Sequence, residues 1–160
     1  TCMNSMDYFT EDRPVVILRT FSKAYGLAGL RIGYGIMPRQ VAELLNRIRL
    51  PFSANSLAQV GALAAFQDED FLRQSVRLVH EGLGFLAGAL DDLGLEYFPT
   101  QANFFLINIR ESGDGVFERM LRQGVIIRSM TSYGYPQYIR VNVGLPEENV
   151  RLMEALERTI

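Results

Sequence analysis

Val15-Val16-Ile17-Leu18 runs directly into Arg19-Thr20-Phe21-Ser22-Lys23-Ala24-Tyr25-Gly26-Leu27-Ala28-Gly29-Leu30-Arg31-Ile32-Gly33-Tyr34-Gly35. The four apolar residues that follow Arg13-Pro14 read as a strand buried on both faces. The apolar pattern breaks at Arg19, and four of the chain's 14 glycines fall between Gly26 and Gly35. Such density suits a tight loop and short strands whose backbone approaches something closely. Just past the strand the turn gathers a hydroxyl, an amine and a guanidinium, on Ser22, Lys23 and Arg31. Strand ends are where α/β sheets bind ligands. A phosphate there would accept hydrogen bonds from Ser22, from backbone N–H groups and from the Arg31 fork. In a sheltered cationic pocket Lys23 would be partly neutral, and a neutral amine is what condensation with a carbonyl requires. The same residues also read as a solvated Ser-Lys loop followed by an ordinary strand with one outward charge.

Outward from this segment, the pattern alternates helix and strand. Pro38 opens a helix carrying Val41, Leu44, Leu45 and Ile48, and Pro51 stops it. Asn55 or Ser56 caps a second helix through Phe66, and Asp68 a longer third one through Leu90. Gly82, Gly84 and Gly88 inside that third helix each cost about 1 kcal/mol against alanine, which predicts close packing or a bend. Strands are expected at Leu95–Phe98, Asn103–Asn108, Val125–Arg128 and Tyr138–Val143, with helices at Asp114–Arg122 and from Pro146 onward. The second half is thus a small α/β layered unit.

Composition narrows the function classes. The 160 residues are 48% hydrophobic and 21% charged, close to a folded soluble average and unlike a disordered chain. Sixteen basic against 18 acidic residues leave a net charge of −2, so no general basic excess recruits nucleic acid or anionic lipid. No apolar run approaches the length of a membrane-spanning helix. The single cysteine, Cys2, cannot form an internal disulfide, which fits a reducing cytoplasm. No His/Cys/Asp/Glu cluster has metal-ligand spacing, so no metal site is expected. His80 reads as a solvated helix-face histidine. Asn103 reads equally as a ligand contact or as a buried turn residue. Arg128 ends an apolar run and Arg140 alternates with Ile139 and Val141, so each reads first as an ordinary strand residue pointing outward.

Ser22 through Tyr34 nevertheless resembles the cofactor-lysine signature of fold-type I pyridoxal-phosphate aminotransferases, and within them is most similar to histidinol-phosphate aminotransferases. Pro51-Phe52-Ser53-Ala54-Asn55-Ser56-Leu57-Ala58-Gln59, Gln101-Ala102-Asn103-Phe104, Gly124-Val125-Ile126-Ile127-Arg128, Tyr138-Ile139-Arg140-Val141-Asn142-Val143-Gly144 and Glu148-Asn149 resemble later segments of the same family, in the same order. The lysine motif is highly specific; the later ones are individually weak.

The resemblance implies an α/β fold. Residues 1–67 would be the C-terminal part of the large cofactor-binding domain, with a mostly parallel sheet, and residues 68–160 the small C-terminal α/β domain. It implies that Lys23 holds pyridoxal 5'-phosphate covalently and shuttles the substrate Cα proton. Ser22 and Arg31 would bind the cofactor phosphate, Arg140 the substrate α-carboxylate, and Arg128 a distal anionic group. The implied reaction is amino transfer between an amino acid, or an amino-alcohol phosphate such as histidinol phosphate, and a 2-oxo acid in histidine biosynthesis. The implied protein is a cytoplasmic homodimer with no nucleic-acid or membrane partner. An aromatic aminotransferase, an amino-acid decarboxylase and a non-catalytic small-domain module are the alternatives. The family's aspartate partner for the pyridine nitrogen has no counterpart, since Asp7-Tyr8 lies too close to Lys23. The chain therefore reads as a fragment of the enzyme, expected to be inactive alone.

Overall fold

Residues 4–160 are described by the computed structural model; Cys2 lies outside them. By contacts the chain divides into two units, residues 1–76 and 77–160. The expected boundary after residue 67 coincides with the end of a helix, whereas the division itself falls within the following one.

In the first unit, β1 (Ile17–Thr20) pairs antiparallel with β2 (Gly33–Ile36), Ile17 opposite Ile36 and Thr20 opposite Gly33. Helix α1 (Arg39–Ile48) follows Pro38, and α2 (Ser56–Gln67) follows Asn55, whose side-chain oxygen accepts from the Ala58 N–H at 2.8 Å. Two expectations change here. The mostly parallel sheet is replaced, among the described residues, by this one antiparallel pair. A parallel neighbour needs a crossover connection, usually a helix, and residues 21–32 form a looped turn instead. The strand also begins two residues later than expected and is not buried on both faces: Ile17 is buried but Leu18 is 73% exposed. The apolar stripe of α1 is likewise uncovered, with no buried residue in the helix.

Phe21 holds the glycine-rich turn in place. It is 2% exposed and meets Phe66 of α2 edge-on at 4.8 Å, with Tyr25 at 4.9 Å and Tyr34 at 5.7 Å. Aromatic pairs at such spacings add to the burial of area itself. Gly33 permits the close strand pairing, since a Cβ there would sit 2.6 Å from the Arg19 carbonyl oxygen.

Helix α3 (Glu69–Asp92) runs across the division; the Asp68 carboxylate accepts from the Phe71 N–H at 2.9 Å at its start. The second unit contains the rest of α3, β3 (Glu96–Tyr97), β4 (Phe104–Asn108), α4 (Gly113–Arg122), β5 (Arg128–Ser129), β6 (Tyr138–Asn142) and α5 (Pro146–Glu157). All strand pairs are antiparallel in the order β3-β4-β6-β5. Phe105, Ile107, Ile139 and Val141 alternate inward and pack with Leu86 and Leu90 of α3, Val116 and Met120 of α4, and Leu152 and Leu156 of α5. This is the small α/β layered unit expected from the sequence.

Of the three glycines in α3, only Gly82 is a packing site. An added Cβ there would collide with Val143 Cγ1 and lie 3.0 Å from the Asn149 side-chain nitrogen, whereas at Gly84 and Gly88 it would meet nothing within 4 Å. Gly84→Ala and Gly88→Ala are therefore each expected to stabilise the chain by about 0.5–1 kcal/mol. Urea unfolding should show this as a higher midpoint at unchanged slope.

Candidate active site

The chemistry-bearing residues fall into two groups, one in each unit. In the first unit the Gly26 N–H donates to the Lys23 carbonyl at 2.9 Å, and the Leu27 N–H to the Phe21 carbonyl at 2.9 Å. Gly26 supplies the positive φ of 69° that this reversal needs. Arg31 also has a positive φ, 54°, which costs a side-chain-bearing residue on the order of 1 kcal/mol. Its guanidinium offsets that cost by donating from Nη1 to the Ala28 carbonyl at 2.7 Å and to Ser22 Oγ at 3.3 Å. The Asn55 side-chain amide holds the same turn through the Leu30 carbonyl at 3.3 Å. Ser22 and Arg31, nine positions apart, are thus brought together on either side of a loop that carries Lys23.

Lys23 itself is exposed. The expected shelter is not formed by this unit, because its apolar anchor, Phe21, draws the chain inward two residues before the lysine. Lys23 is also the only lysine in the sequence, every other basic side chain being arginine. No second side-chain amine in this chain competes for an aldehyde.

In the second unit Arg128 of β5 stands directly opposite Arg140 of β6. Both line a cavity of about 520 Å³ beside Ile127, Asn142, Glu148 and Asn149. Beside the cavity the strand pairing is shorter than the expected Val125–Arg128. Gly124, with φ of 73°, reverses the chain, and the Val125 N–H returns to the Met120 carbonyl at 3.0 Å, so only Arg128 and Ser129 pair with β6. Like charges directly opposed across strands repel, and among the described residues neither arginine has a carboxylate partner. Arg128 Nη1 donates to the Tyr133 hydroxyl at 3.2 Å, and Arg140 lies over the Phe104 ring with a buried, unpartnered Nε. An anion answering both guanidiniums would relieve the repulsion.

Asn103 uses its backbone carbonyl, which accepts from the Val143 N–H at 2.9 Å. His80 is exposed on α3. Among the described residues no group of three or more His, Cys, Asp or Glu side chains is arranged to hold a metal, and no helix is long and apolar enough to cross a membrane.

Residues 2–156 match the sequence profile of the aminotransferase class I and II family. The chain belongs to that family. Histidinol-phosphate aminotransferase 1 of Nitrosococcus oceani is 50% identical over 146 residues, covering 91% of this chain and 40% of that relative. The chain thus spans well under half the length of the curated relatives it matches. Among solved structures, histidinol-phosphate aminotransferase from Sinorhizobium meliloti, determined in complex with pyridoxal-5'-phosphate, superposes with a TM-score of 0.82 at 29% identity, covering 92% of this chain and 42% of that one. L-threonine-O-3-phosphate decarboxylase from Porphyromonas gingivalis superposes at 0.85 with 24% identity, covering 99% and 50%, a likeness of fold. Within this class I and II aminotransferase chain, sequence reasoning missed Phe21 and Phe66, which anchor the lysine turn, and Tyr133 and Phe104, which touch the two arginines. Their signal was in plain view only as aromatic residues, and aromatics are ordinarily core.

Proposed function

We propose that this chain carries the cofactor-lysine turn and the substrate-binding small domain of a pyridoxal-phosphate-dependent aminotransferase. In this reading the enzyme exchanges an amino group between histidinol phosphate and 2-oxoglutarate in histidine biosynthesis. The observation that carries the reading is the Ser22–Arg31 hydrogen bond beside a lone lysine. The donor set fits the cofactor: residues 20–34 supply the Ser22 hydroxyl, one guanidinium and one amine, with no carboxylate to oppose a phosphate. The 50% identity to a protein named histidinol-phosphate aminotransferase supports the substrate.

When bound, pyridoxal phosphate supplies a carbonyl that condenses with amines and a ring that takes up the electron pair released at the substrate's Cα. Ser22 Oγ and the Arg31 guanidinium hold its phosphate through charge-assisted hydrogen bonds. Lys23 Nζ is the covalent attachment point and, once free, the base that carries the Cα proton. Arg140 grips the α-carboxylate or 2-oxo acid carboxylate as a fork, and Arg128 takes the distal phosphate or second carboxylate. The homodimer and the cytoplasmic location implied by the resemblance belong to the same proposal.

The full-length gene product, given histidinol phosphate and 2-oxoglutarate, is expected to form glutamate. Turnover with phenylalanine and none with histidinol phosphate would replace the substrate; failure to form glutamate from any amino donor tried would overturn the reading. Removing the guanidinium with Arg31→Ala is expected to weaken pyridoxal-phosphate affinity on the order of 10–100-fold, and Ser22→Ala by about tenfold at most, since the guanidinium brings its own positive charge and a two-donor fork whereas the hydroxyl offers one neutral donor. Absorbance titration of the apoprotein measures both, and equal affinity in all three proteins would contradict the assigned roles.

A further inference from the structure

The face of the β3-β4-β6-β5 sheet that points away from its helices carries Phe104 and Leu106 on β4 and Arg140 and Asn142 on β6. Leu106 is the residue directly opposite Arg140, and Phe104 is opposite Asn142. Phe104 is therefore Arg140's diagonal neighbour, within reach of a long side chain. On the other flank stands Arg128, in direct register with Arg140 and of like charge. Between an aliphatic side chain opposite and a repelling cation beside it, the Arg140 guanidinium goes to the diagonal ring, its central carbon 4.8 Å from the Phe104 centroid. Arg128 is tethered separately at the Tyr133 hydroxyl.

The manner of this contact matters. A ring face attracts a cation through its quadrupole and accepts no conventional N–H hydrogen bond from the guanidinium's edge. A carboxylate in the same place would hold Arg140 just as firmly but would occupy the donors a ligand needs. The Arg140 Nε is buried and meets no acceptor among the described residues, a costly arrangement unless a ligand completes it. Phe104 thus steers the guanidinium while leaving its N–H groups unspent.

We propose that Phe104 is a positioning residue: its ring face, together with the repulsion from Arg128 on the other flank, aims the Arg140 guanidinium at the carboxylate of the bound ligand. This rests on the aminotransferase reading for the identity of that ligand.

The test uses the full-length gene product and succinate as the dicarboxylate probe, titrated calorimetrically. Phe104→Leu is expected to weaken succinate binding on the order of tenfold. Phe104→Trp, which keeps a ring face, should restore most of it. The KM for the 2-oxo acid should rise in Phe104→Leu with kcat held, because the ring acts through the Arg140 guanidinium. In an Arg140→Met background Phe104→Leu should cost nothing further; an equal loss there would mean a merely structural role and overturn the proposal. Unaltered succinate affinity in Phe104→Leu, with Arg140→Met impaired, would overturn it while leaving the aminotransferase reading intact. Unaltered affinity in Arg140→Met would sink both the assigned role of Arg140 and this inference. Independently of any variant, the Arg140 Nε–Hε resonance should be displaced by the Phe104 ring current; an undisplaced signal would also overturn the proposal.

Discussion

Lys23→Ala in the full-length gene product is expected to abolish covalent capture of pyridoxal phosphate and to lower kcat at least a hundredfold, the lower range of a positioned proton-transfer group. The expectation rests on chemistry that only this residue in the chain can perform. Lys23 is its single side-chain amine, and 15 arginines cannot substitute, because a guanidinium stays protonated. Borohydride reduction in the presence of the cofactor, followed by peptide mass spectrometry, should attach the pyridoxyl group to the peptide containing Lys23 and to no other peptide of this chain. In Lys23→Ala that label should vanish. Undiminished turnover in the variant would remove the amine from the mechanism. Affinity separates the two jobs of the turn: Ser22 and Arg31 remain in Lys23→Ala, so noncovalent retention of the cofactor phosphate should persist.

The largest stability effect is expected at Asn149. It is 3% exposed, and its side chain bridges both backbone groups of one residue, accepting from the Gly144 N–H at 2.9 Å and donating to the Gly144 carbonyl at 3.1 Å. Asn149→Ala leaves a cavity and strands two polar groups, each costing about 1–3 kcal/mol if water cannot replace the partner. A net loss of about 3 kcal/mol is expected, a drop of roughly 10–20 °C in the thermal midpoint of a unit of this size. Differential scanning calorimetry reads it, and a drop below about 3 °C would show that Gly144 is satisfied by solvent. The same asparagine packs against Gly82 of α3, so Gly82→Ala should also destabilise. Its Cβ would press on Val143 and on Asn149, and overpacking of about 1–3 kcal/mol outweighs the helix-propensity gain of about 1 kcal/mol. Opposite signs at Gly82 and at Gly84 would separate packing from propensity within one helix.

The helices of both units and the strands of the second were legible from local signals. The alternation in Phe104–Asn108 and Tyr138–Asn142, the caps at Asn55 and Asp68, and the prolines at 38 and 146 all mark elements through interactions within a few residues of chain. Glu148-Asn149 stood out only by resemblance; the structure gives it a physical reason, Glu148 accepting from the Leu145 N–H at 2.8 Å while Asn149 clamps Gly144. The strand pair of the first unit was less legible. Val15–Leu18 is apolar enough for a doubly covered strand, yet the residues that cover or leave bare its faces lie far along the sequence. Hydrophobic periodicity reports the wish to be buried, not the partner.

Lys23, Ser22 and Arg31 could be named from the sequence, as could Arg128 and Arg140, because the residue types and the order of the motifs carry the chemistry. Their mutual arrangement could not. That Ser22 meets Arg31, that Arg128 and Arg140 oppose each other across one strand pair, and that Phe104 draws Arg140 aside all depend on loop reversals and register. Moving β6 by one residue would turn Arg140 into the core and Ile139 out of it. The amino-acid order determined the helices, the strands and the one amine available for carbonyl chemistry, through forces acting over a turn or two of chain. Only the folded chain decided which charges face one another, because that is set by pairings between residues far apart in sequence, whose cooperative packing no local pattern encodes.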